Sequence, residues 1–389
     1  MKKILIFSLA YVPHVGGAEV AIKEITDRIH GVEFHMLTHR FHAGDRNEER
    51  MGNVHVHRIG QGSSYVSKAL FIPRAVVAAL RLHRVERFDA AWAVMSYMAT
   101  PLVLMRLLGV RIPYCLTLQE GDTFGHMFRR PHIIPVLPLV WLGFRNATVV
   151  QAISKYLAAW APRMGYRGDA IVIPNGAAVA DFGREYMRAE IDALKDALGK
   201  RMGEVFLITT SRLVRKNGIE DVVHALPNIG SQVRFLVLGT GPEEARLRRI
   251  ANDLHIENRV TFLGHVPHAE LPKYLQASDI FIRPSLSEGM GVSFVEAMAA
   301  GLPVIATQEG GIADFLFDEK RNPDMPITGW AVDVHSPEQI VAAVEEVMSR
   351  PEKVRAVVAT AKELVKEKYD WDMIAREMRE KAFSPMLRE

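Results

Sequence analysis

Residues 285–306 read S-L-S-E-G-M-G-V-S-F-V-E-A-M-A-A-G-L-P-V-I-A, the most informative segment of the chain. An apolar, strand-like run ends at Arg283, a loop with Gly289 and Gly291 follows, and the pattern predicts a helix from near Val292. Glycines in such a loop allow backbone conformations that a side chain would forbid, and they let a ligand come close. The amides at the start of the helix, together with its dipole, predict an anion site suited to a diphosphate.

Two glutamates flank this loop. Glu288 precedes the glycines, and Glu296 lies just over one turn into the predicted helix. Both can face the crevice at the carboxyl ends of the strands, where open α/β sheets bind ligands. Because a carboxylate repels a phosphate, we expect the two side chains to accept hydrogen bonds from sugar hydroxyls. A solvated helix charge at Glu296 and a loop cap at Glu288 are the alternatives.

Strand-like and amphipathic stretches alternate along nearly all 389 residues. The predicted strands cover residues 4–8, 33–38, 54–59, 90–95, 114–118, 148–152, 170–173, 205–210, 234–238, 260–263, 280–283, 304–306 and 330–332. Helices are expected over 18–29 and 181–200, and two more over 354–383, broken around 369–371. Such alternation predicts two doubly wound α/β domains with parallel sheets, and the turn-forming cluster at 174–177 divides them.

The composition fits a globular chain, with 49% hydrophobic and 24% charged residues. The single cysteine, Cys115, excludes an internal disulfide framework, and its apolar neighbours predict a small buried core residue. No apolar run reaches the ~18 residues that a membrane span needs. We therefore expect a cytoplasmic protein.

The net charge of +3 conceals an asymmetry. Residues 1–175 carry 21 Lys and Arg against 12 Asp and Glu, hence +9, and the remainder carries 27 against 33, hence −6. The basic half predicts an anionic partner, for which a membrane surface or phosphorylated acceptor fits better than nucleic acid, because no nucleic-acid motif is present. Arg129 and Arg130 precede the apolar, proline-broken residues 133–144, which form either a membrane-surface element or a buried helix. A merely solvated basic surface is the alternative.

The block from Glu288 through seven residues to Glu296 resembles the signature of the GT-B glycosyltransferases, and within them the large retaining family four, the glycosyl transferases of group 1. The resemblance implies a GT-B fold of two Rossmann-like domains with a cleft between them. Residues 1–175 would form the acceptor-side domain and 176–368 the nucleotide-sugar domain. Residues 369–389 would form a helix that crosses back onto the first domain.

The same resemblance implies roles for individual residues. Glu288 would contact the donor sugar, Glu296 the ribose, and the amides of Gly291, Val292 and Ser293 the diphosphate, with Gly289 in the same loop. Residues 211–218 resemble the family's basic loop, so Arg212 and Lys216 would stabilise the leaving diphosphate. This loop departs from the family's usual spacing, because Asn217 stands where the lysine is expected. The remaining donor-side residues are Gly16 and Gly17 near the phosphate, and Gly239, Gly241, His265 and Val266 near the base.

The acceptor side shows a second departure. Many members of the family carry a histidine near the donor sugar, and this chain has Gln119 at that position. Glutamine is neither acid nor base, but it can hydrogen-bond a sugar hydroxyl. The resemblance implies that a donor phosphate oxygen takes the acceptor's proton, so the missing histidine bears on sugar preference. Glu120 and Asp122 are candidate acceptor contacts, with surface carboxylates as the alternative.

The histidines do not predict a metal site. His35 and His39 share a face of one strand but lie ~13 Å apart. His55 and His57 could share a face, yet no third ligand stands at a fitting spacing. Structural or surface histidines are therefore expected, and no metal or cofactor.

The sequence thus predicts a metal-independent, retaining hexosyltransferase. Its donor would be a nucleotide-diphosphate sugar, carrying UDP or GDP, and its acceptor a hydroxyl of a glycan, a glycolipid or a small polyol. The alternatives are a catalytically impaired sugar-nucleotide-binding protein and another GT-B activity such as an epimerase. A nicotinamide dehydrogenase is disfavoured, because Glu244 stands where the third glycine of its phosphate loop belongs.

Overall fold

Each half of the chain is built on its own, mainly parallel β-sheet. The computed structural model describes residues 1–13, 16–130 and 133–387. Residues 1–176 and 371–389 form one unit, and residues 177–370 form the other. The prediction of two parallel-sheet α/β domains is confirmed.

The sheet of the first domain has the strand order β3-β4-β2-β1-β5-β6-β7-β8. The strands are β1 Lys2–Phe7, β2 Val32–His39, β3 Glu48–Met51, β4 Val54–Ile59, β5 Ala90–Val94, β6 Tyr114–Leu118, β7 Val149–Ala152 and β8 Ile171–Val172. The helices are α1 Gly17–Arg28, α2 Tyr65–Ala69, α3 Phe71–Glu86, α4 Thr100–Leu107, α5 Phe124–Phe128, α6 Leu137–Asn146, α7 Lys155–Ala158 and α8 Trp160–Arg163.

The sheet of the second domain has the order β11-β10-β9-β12-β13-β14. Its strands are β9 Val205–Thr210, β10 Val233–Leu238, β11 Val260–Gly264, β12 Ile280–Arg283, β13 Val304–Ala306 and β14 Trp330–Ala331. Its helices are α9 Val179–Phe182, α10 Arg188–Ala197, α11 Ile219–Ala225, α12 Glu244–Asp253, α13 Leu271–Ala277, α14 Val292–Ala299, α15 Pro337–Ser349 and α16 Pro351–Lys368.

The structure differs from the sequence prediction at two elements. The helix expected over residues 181–200 is two helices, α9 and α10, because Gly183 ends the first and the Glu190 carboxylate accepts from the Met187 amide at the start of the second. The strand β3 was not predicted. It is a charged edge strand without apolar alternation, and it forms only because it pairs antiparallel with β4.

The C-terminal segment belongs to the core of the first domain. It consists of α17 Trp371–Glu377, a π-helical turn Met378–Phe383 and α18 Ser384–Leu387. Its apolar side packs on the sheet, where the Phe383 ring meets the edge of Trp92 with centroids 5.1 Å apart. Trp371 is packed so closely that a Cβ on Gly176 would lie 2.6 Å from its indole. Residues 371–387 thus complete a core that residues 1–176 begin.

Two smaller expectations also have outcomes. Cys115 is buried in β6, as predicted, and burial raises the pKa of its thiol to about 12. Among the described residues, no helix combines the length and the apolar character that crossing a membrane requires.

Replacement of Trp371 by alanine is expected to lower the free energy of unfolding of the first domain by about 3–5 kcal/mol, the usual cost of emptying a buried aromatic site. Trp371 is 4% exposed, whereas Trp141 is 38% exposed. Trp141→Ala is therefore the control and should cost clearly less. Urea unfolding followed by near-ultraviolet circular dichroism measures both, and equal losses would contradict the role assigned to the C-terminal segment.

Candidate active site

Apart from Gly16 and Gly17, the donor-side residues predicted from the sequence follow four neighbouring strands of the second sheet. Arg212 and Lys216 follow β9, Gly239 and Gly241 follow β10, His265 and Val266 follow β11, and Glu288, Gly289, Gly291, Val292, Ser293 and Glu296 follow β12. In the sheet order, these strands are adjacent. The residues therefore lie together at the carboxyl ends of the strands of one parallel sheet, where such sheets bind ligands.

The buried guanidinium of Arg283 connects the two ends of the glutamate loop. Its Nη2 lies 2.9 Å from Glu288 Oε2, and its Nη1 donates to Ser293 Oγ at 2.7 Å. The Nε donates to Ser285 Oγ at 3.2 Å, and the group lies over the ring of Phe294, 4.1 Å from its centroid. Arg283 thus fixes the carboxylate before the glycines and the first turn of α14 together. The sequence analysis did not identify it, because a terminal strand residue has no spacing signal of its own.

The second carboxylate of the loop has a partner that the sequence analysis also missed. Glu296 is buried, and its Oε1 lies 2.7 Å from Nε2 of His268, which begins the turn before α13. This burial excludes the alternative of a solvated helix charge. The position of His268, just after the predicted base-binding segment, could have marked it as a candidate site residue. Only the fold shows that its side chain reaches Glu296.

The electrostatics of the loop centre on the same guanidinium. Burial lowers the pKa of Arg283, while the negative charges of Glu288 and Glu296 act to raise it. Arginine stays charged in proteins. A buried cation needs compensating charges, and the two carboxylates supply them for Arg283.

Two glycines shape the loop in ways that no other residue would allow. Gly291 caps α14 with a φ of +88°, and a Cβ there would lie 2.5 Å from the Phe294 ring. Gly310 has a φ of +64°, and its Cβ would lie 1.9 Å from the Glu288 carbonyl oxygen, which accepts a hydrogen bond from the Gly311 amide at 3.0 Å. The residues after β13 therefore hold the backbone of Glu288. The sequence analysis did not identify Gly310 and Gly311.

The basic loop after β9 packs against the glutamate loop. The Leu286 amide donates to the Lys216 carbonyl at 2.7 Å. Asn217, which replaces the expected lysine, is buried, and its Nδ2 donates to the Arg212 carbonyl at 2.7 Å. Asn217 therefore stabilises the conformation of the loop from its buried side. The side chain of Arg212 is exposed, and that of Lys216 is half-buried.

The glycines after β10 have a packing role. A Cβ on Gly239 would lie 1.9 Å from the Ser211 carbonyl oxygen, and one on Gly241 would lie 2.2 Å from the Leu213 carbonyl oxygen. Both glycines thus allow the backbone of the loop after β10 to contact the backbone of the loop after β9. His265 is exposed and Val266 half-buried beyond β11.

The predicted residues of the first domain also lie at the carboxyl edge of their sheet. Gly16 and Gly17 are at the start of α1, where a Cβ on Gly16 would lie 2.7 Å from the Glu19 carboxylate. Gln119 follows β6 and forms a reciprocal amide pair with buried Asn175, at 3.2 and 3.4 Å. This pairing orients the Gln119 amide.

Glu120 is not positioned as the sequence analysis expected. It is completely buried, and its Oε1 accepts a hydrogen bond from the Ser96 amide at 2.6 Å. Burial raises the pKa of this carboxyl group. Met95, the residue before Ser96, has a φ of +82°, which is a strained conformation for a residue with a side chain. Glu120 therefore holds a strained loop after β5 rather than contacting a ligand or standing on the surface.

Asp122, the other acceptor-side carboxylate, faces basic groups of its own segment. Its Oδ2 lies 3.6 Å from Arg130 Nη2 and 3.9 Å from His126 Nε2. It is partly exposed, as an acceptor contact would require, and its charge is already partly neutralised.

Each of the two domains matches a known protein family model. Residues 16–176 match the glycosyl transferase 4-like domain, and residues 190–364 match the domain of glycosyl transferases group 1. Together the two matches cover most of the chain.

Relatives and solved structures match over nearly the full length. A GDP-mannose-dependent alpha-(1-6)-phosphatidylinositol monomannoside mannosyltransferase of Mycobacterium tuberculosis is 27% identical over 398 residues, covering 97% of each chain. Sucrose-phosphate synthase of Thermosynechococcus elongatus has a TM-score of 0.83 at 21% identity, with 97% of this chain and 98% of that one covered. HepE of Anabaena, in complex with UDP-glucose, has a TM-score of 0.78 at 19% identity, covering 98% and 99%.

These matches agree with the two parallel-sheet domains. Structural likeness at this identity establishes the fold, and the family matches establish the enzyme class. The chain belongs to the group 1 glycosyltransferases of GT-B fold, enzymes that use nucleotide sugars.

Proposed function

We propose that this enzyme transfers a hexose from a UDP- or GDP-sugar to a hydroxyl of a lipid-linked sugar, with retention of configuration and without a metal ion. The observation that carries the proposal is the arrangement around Arg283. It holds the Glu288 carboxylate and the first turn of α14 at one sheet edge, beside the basic loop of Lys216.

The donor diphosphate would bind at the start of α14. The first amides of a helix have no carbonyl partner within it, and the helix dipole favours negative charge there. Arg212 and Lys216 lie on the loop packed against the same segment, and their charges would stabilise the leaving nucleotide. Glu288 would then bind a hydroxyl of the donor sugar, and Glu296, after exchanging its contact with His268, a hydroxyl of the ribose.

Retention would follow from transfer on one face of the sugar. The bond between the anomeric carbon and the leaving phosphate oxygen breaks, and a bond to the acceptor oxygen forms on the same face. The acceptor's proton passes to the leaving phosphate. No protein base is needed, which agrees with Gln119, an amide that can orient a hydroxyl but cannot take its proton.

A lipid-linked acceptor is supported by charge, exposure and one relative. The mannosyltransferase relative acts on a phosphatidylinositol monomannoside. In this chain, α6 and the turn before it are only partly buried: Ile134 is 57% exposed and Val136 40% exposed, with Trp141 also half-exposed. Arg129, in the same segment, is exposed. An apolar face beside basic groups is suited to the surface of an anionic membrane.

We expect the purified enzyme to release nucleotide from one UDP- or GDP-hexose when lipid-linked sugar is added, and to do so equally well in EDTA. Nuclear magnetic resonance of the product should show the anomeric configuration of the donor. GDP-mannose is the first donor to test, with UDP-glucose as the comparison. An inverted product, or activity lost in EDTA and restored by manganese, would overturn the corresponding part of the proposal.

Glu288→Gln should lower kcat by about 10²-fold or more while changing donor affinity much less, as expected for a polar contact made mainly in the transition state. Steady-state kinetics and calorimetry with the nucleoside diphosphate separate the two effects. Glu338→Gln, at an exposed position on α15, is the matched control and should behave as wild type. Near-normal turnover of Glu288→Gln would exclude the role.

In sedimentation with liposomes, we expect binding to vesicles containing anionic lipid, no binding to neutral vesicles, and release in half-molar salt, because screening weakens surface electrostatics. Arg129→Glu combined with Arg130→Glu should weaken binding. Lys366→Glu with Lys368→Glu reverses two exposed charges in the second domain and should not. Protein that stays in the supernatant with anionic vesicles at low salt would indicate a soluble acceptor.

A further inference from the structure

A cluster of histidines and glutamates lies in the first domain, on the neighbouring strands β2 and β4. His35 is directly opposite His55 in the parallel register, and its ring stacks on that of His55 with centroids 4.9 Å apart. The His57 ring lies nearly parallel to that of His35, with the two centroids 5.6 Å apart. His35 therefore lies beside both His55 and His57. Spacing along one strand could not reveal His35, because strand pairing brings it there.

On one side of the buried His35 ring, carboxylates converge. His35 Nε2 lies 2.8 Å from Glu33 Oε1, and Glu86, the last residue of α3, adds a second carboxylate. Ligand atoms of Glu33, His35 and Glu86 all lie within 4.8 Å of one another, the one such group among the described residues. The ammonium of Lys3 is the cation at this position, 2.5 Å from Glu86 Oε2 and 3.9 Å from Glu33 Oε2.

On the other side of the ring, a chain of contacts continues to a third carboxylate. His35 Nδ1 lies 3.3 Å from His57 Nε2, and His57 Nδ1 lies 3.4 Å from Glu48 Oε1. The order is therefore Glu33, His35, His57, Glu48, with three contacts between the four groups.

These contacts leave one ring nitrogen of His35 facing the carboxylates and the other facing His57. With a metal ion on His35 Nε2, His35 would carry its proton on Nδ1 and donate to His57, which would donate from its own Nδ1 to Glu48.

We propose that Glu33, His35 and Glu86 bind a divalent first-row transition metal, with Zn²⁺ as the reference ion, and that His57 and Glu48 orient the ligand imidazole from behind. One imidazole and two carboxylates suit such an ion, and a metal-bound histidine commonly donates its other N–H to a partner of this kind. The Lys3 side chain would move to solvent when the metal takes its position. His55, with Nε2 3.9 Å from Glu33 Oε1, is the nearest further donor.

The position of the cluster separates it from the transfer reaction. Lys3 and Glu33 are each the second residue of their strands, so they lie at the amino ends of the strands. Gln119 and Gly16 follow strands and lie at the carboxyl ends. Metal binding here is therefore compatible with a metal-independent reaction, and it must be tested by binding rather than by turnover.

The test is calorimetry with Zn²⁺ on untagged protein at pH 7.5, followed by thermal unfolding with and without the ion. We expect one site per chain and a rise in Tm, because a ligand that binds the folded state stabilises it. Glu86→Gln, at the partly exposed end of α3, should weaken the site at least tenfold without loss of fold. Lys3→Met should tighten it, because the competing cation is gone.

His30→Asn, which removes an exposed histidine elsewhere in the domain, is the matched control and should leave the site unchanged. The proposal fails if wild-type protein binds no Zn²⁺, or if Glu86→Gln binds as tightly as wild type. It also fails if nuclear magnetic resonance shows a proton on His35 Nε2, facing Glu33, that Zn²⁺ does not displace, because that nitrogen is the proposed metal ligand.

Discussion

The buried ion pair between Arg283 and Glu288 is the constraint around which the loops of the candidate site in the second domain are organised. A guanidinium without water must be surrounded by acceptors. Here the acceptors are the carboxylate before the glycine loop and two serine hydroxyls, one of them in the first turn of α14. The need to satisfy one cation therefore fixes a carboxylate and the start of a helix relative to each other. Preorganised polar groups of this kind are what stabilise developing charge in a reaction.

Backbone contacts extend this order to the neighbouring loops. Gly310, Gly218 and Gly239 each stand where a Cβ would come within 2 Å of a carbonyl oxygen, on Glu288, Pro284 and Ser211 respectively. The loops after β9, β10, β12 and β13 thus approach one another main chain to main chain at these points. Glycine is the residue that permits such contacts. The arrangement depends on few side chains, so the exposed ones are free to vary without disturbing how the loops pack.

Most of the fold could be predicted because it depends on local patterns. Alternating apolar runs gave the parallel strands of both sheets, and the glycine loop with its two glutamates gave the start of α14. What could not be predicted depends on pairing between distant residues. The β3 strand has no apolar pattern and exists only through β4, and Arg283 and His268 owe their importance to partners found by folding. Glu120 shows the converse, since a charged residue next to a turn suggests exposure, and its burial against Ser96 follows from two strands that meet only in the sheet.

The return of the chain to the first domain has a consequence for synthesis. The second domain is continuous in sequence, from residue 177 to 370, so it can fold as soon as it has left the ribosome. The first domain cannot, because Trp371, Phe383 and Met386 are part of its core. Its sheet lacks the C-terminal segment, and part of its apolar face stays uncovered, while about half of the protein is synthesised. During that interval the nascent chain presents a surface on which chaperones act, and a ribosome that stops before residue 371 releases one finished domain and one that lacks part of its core.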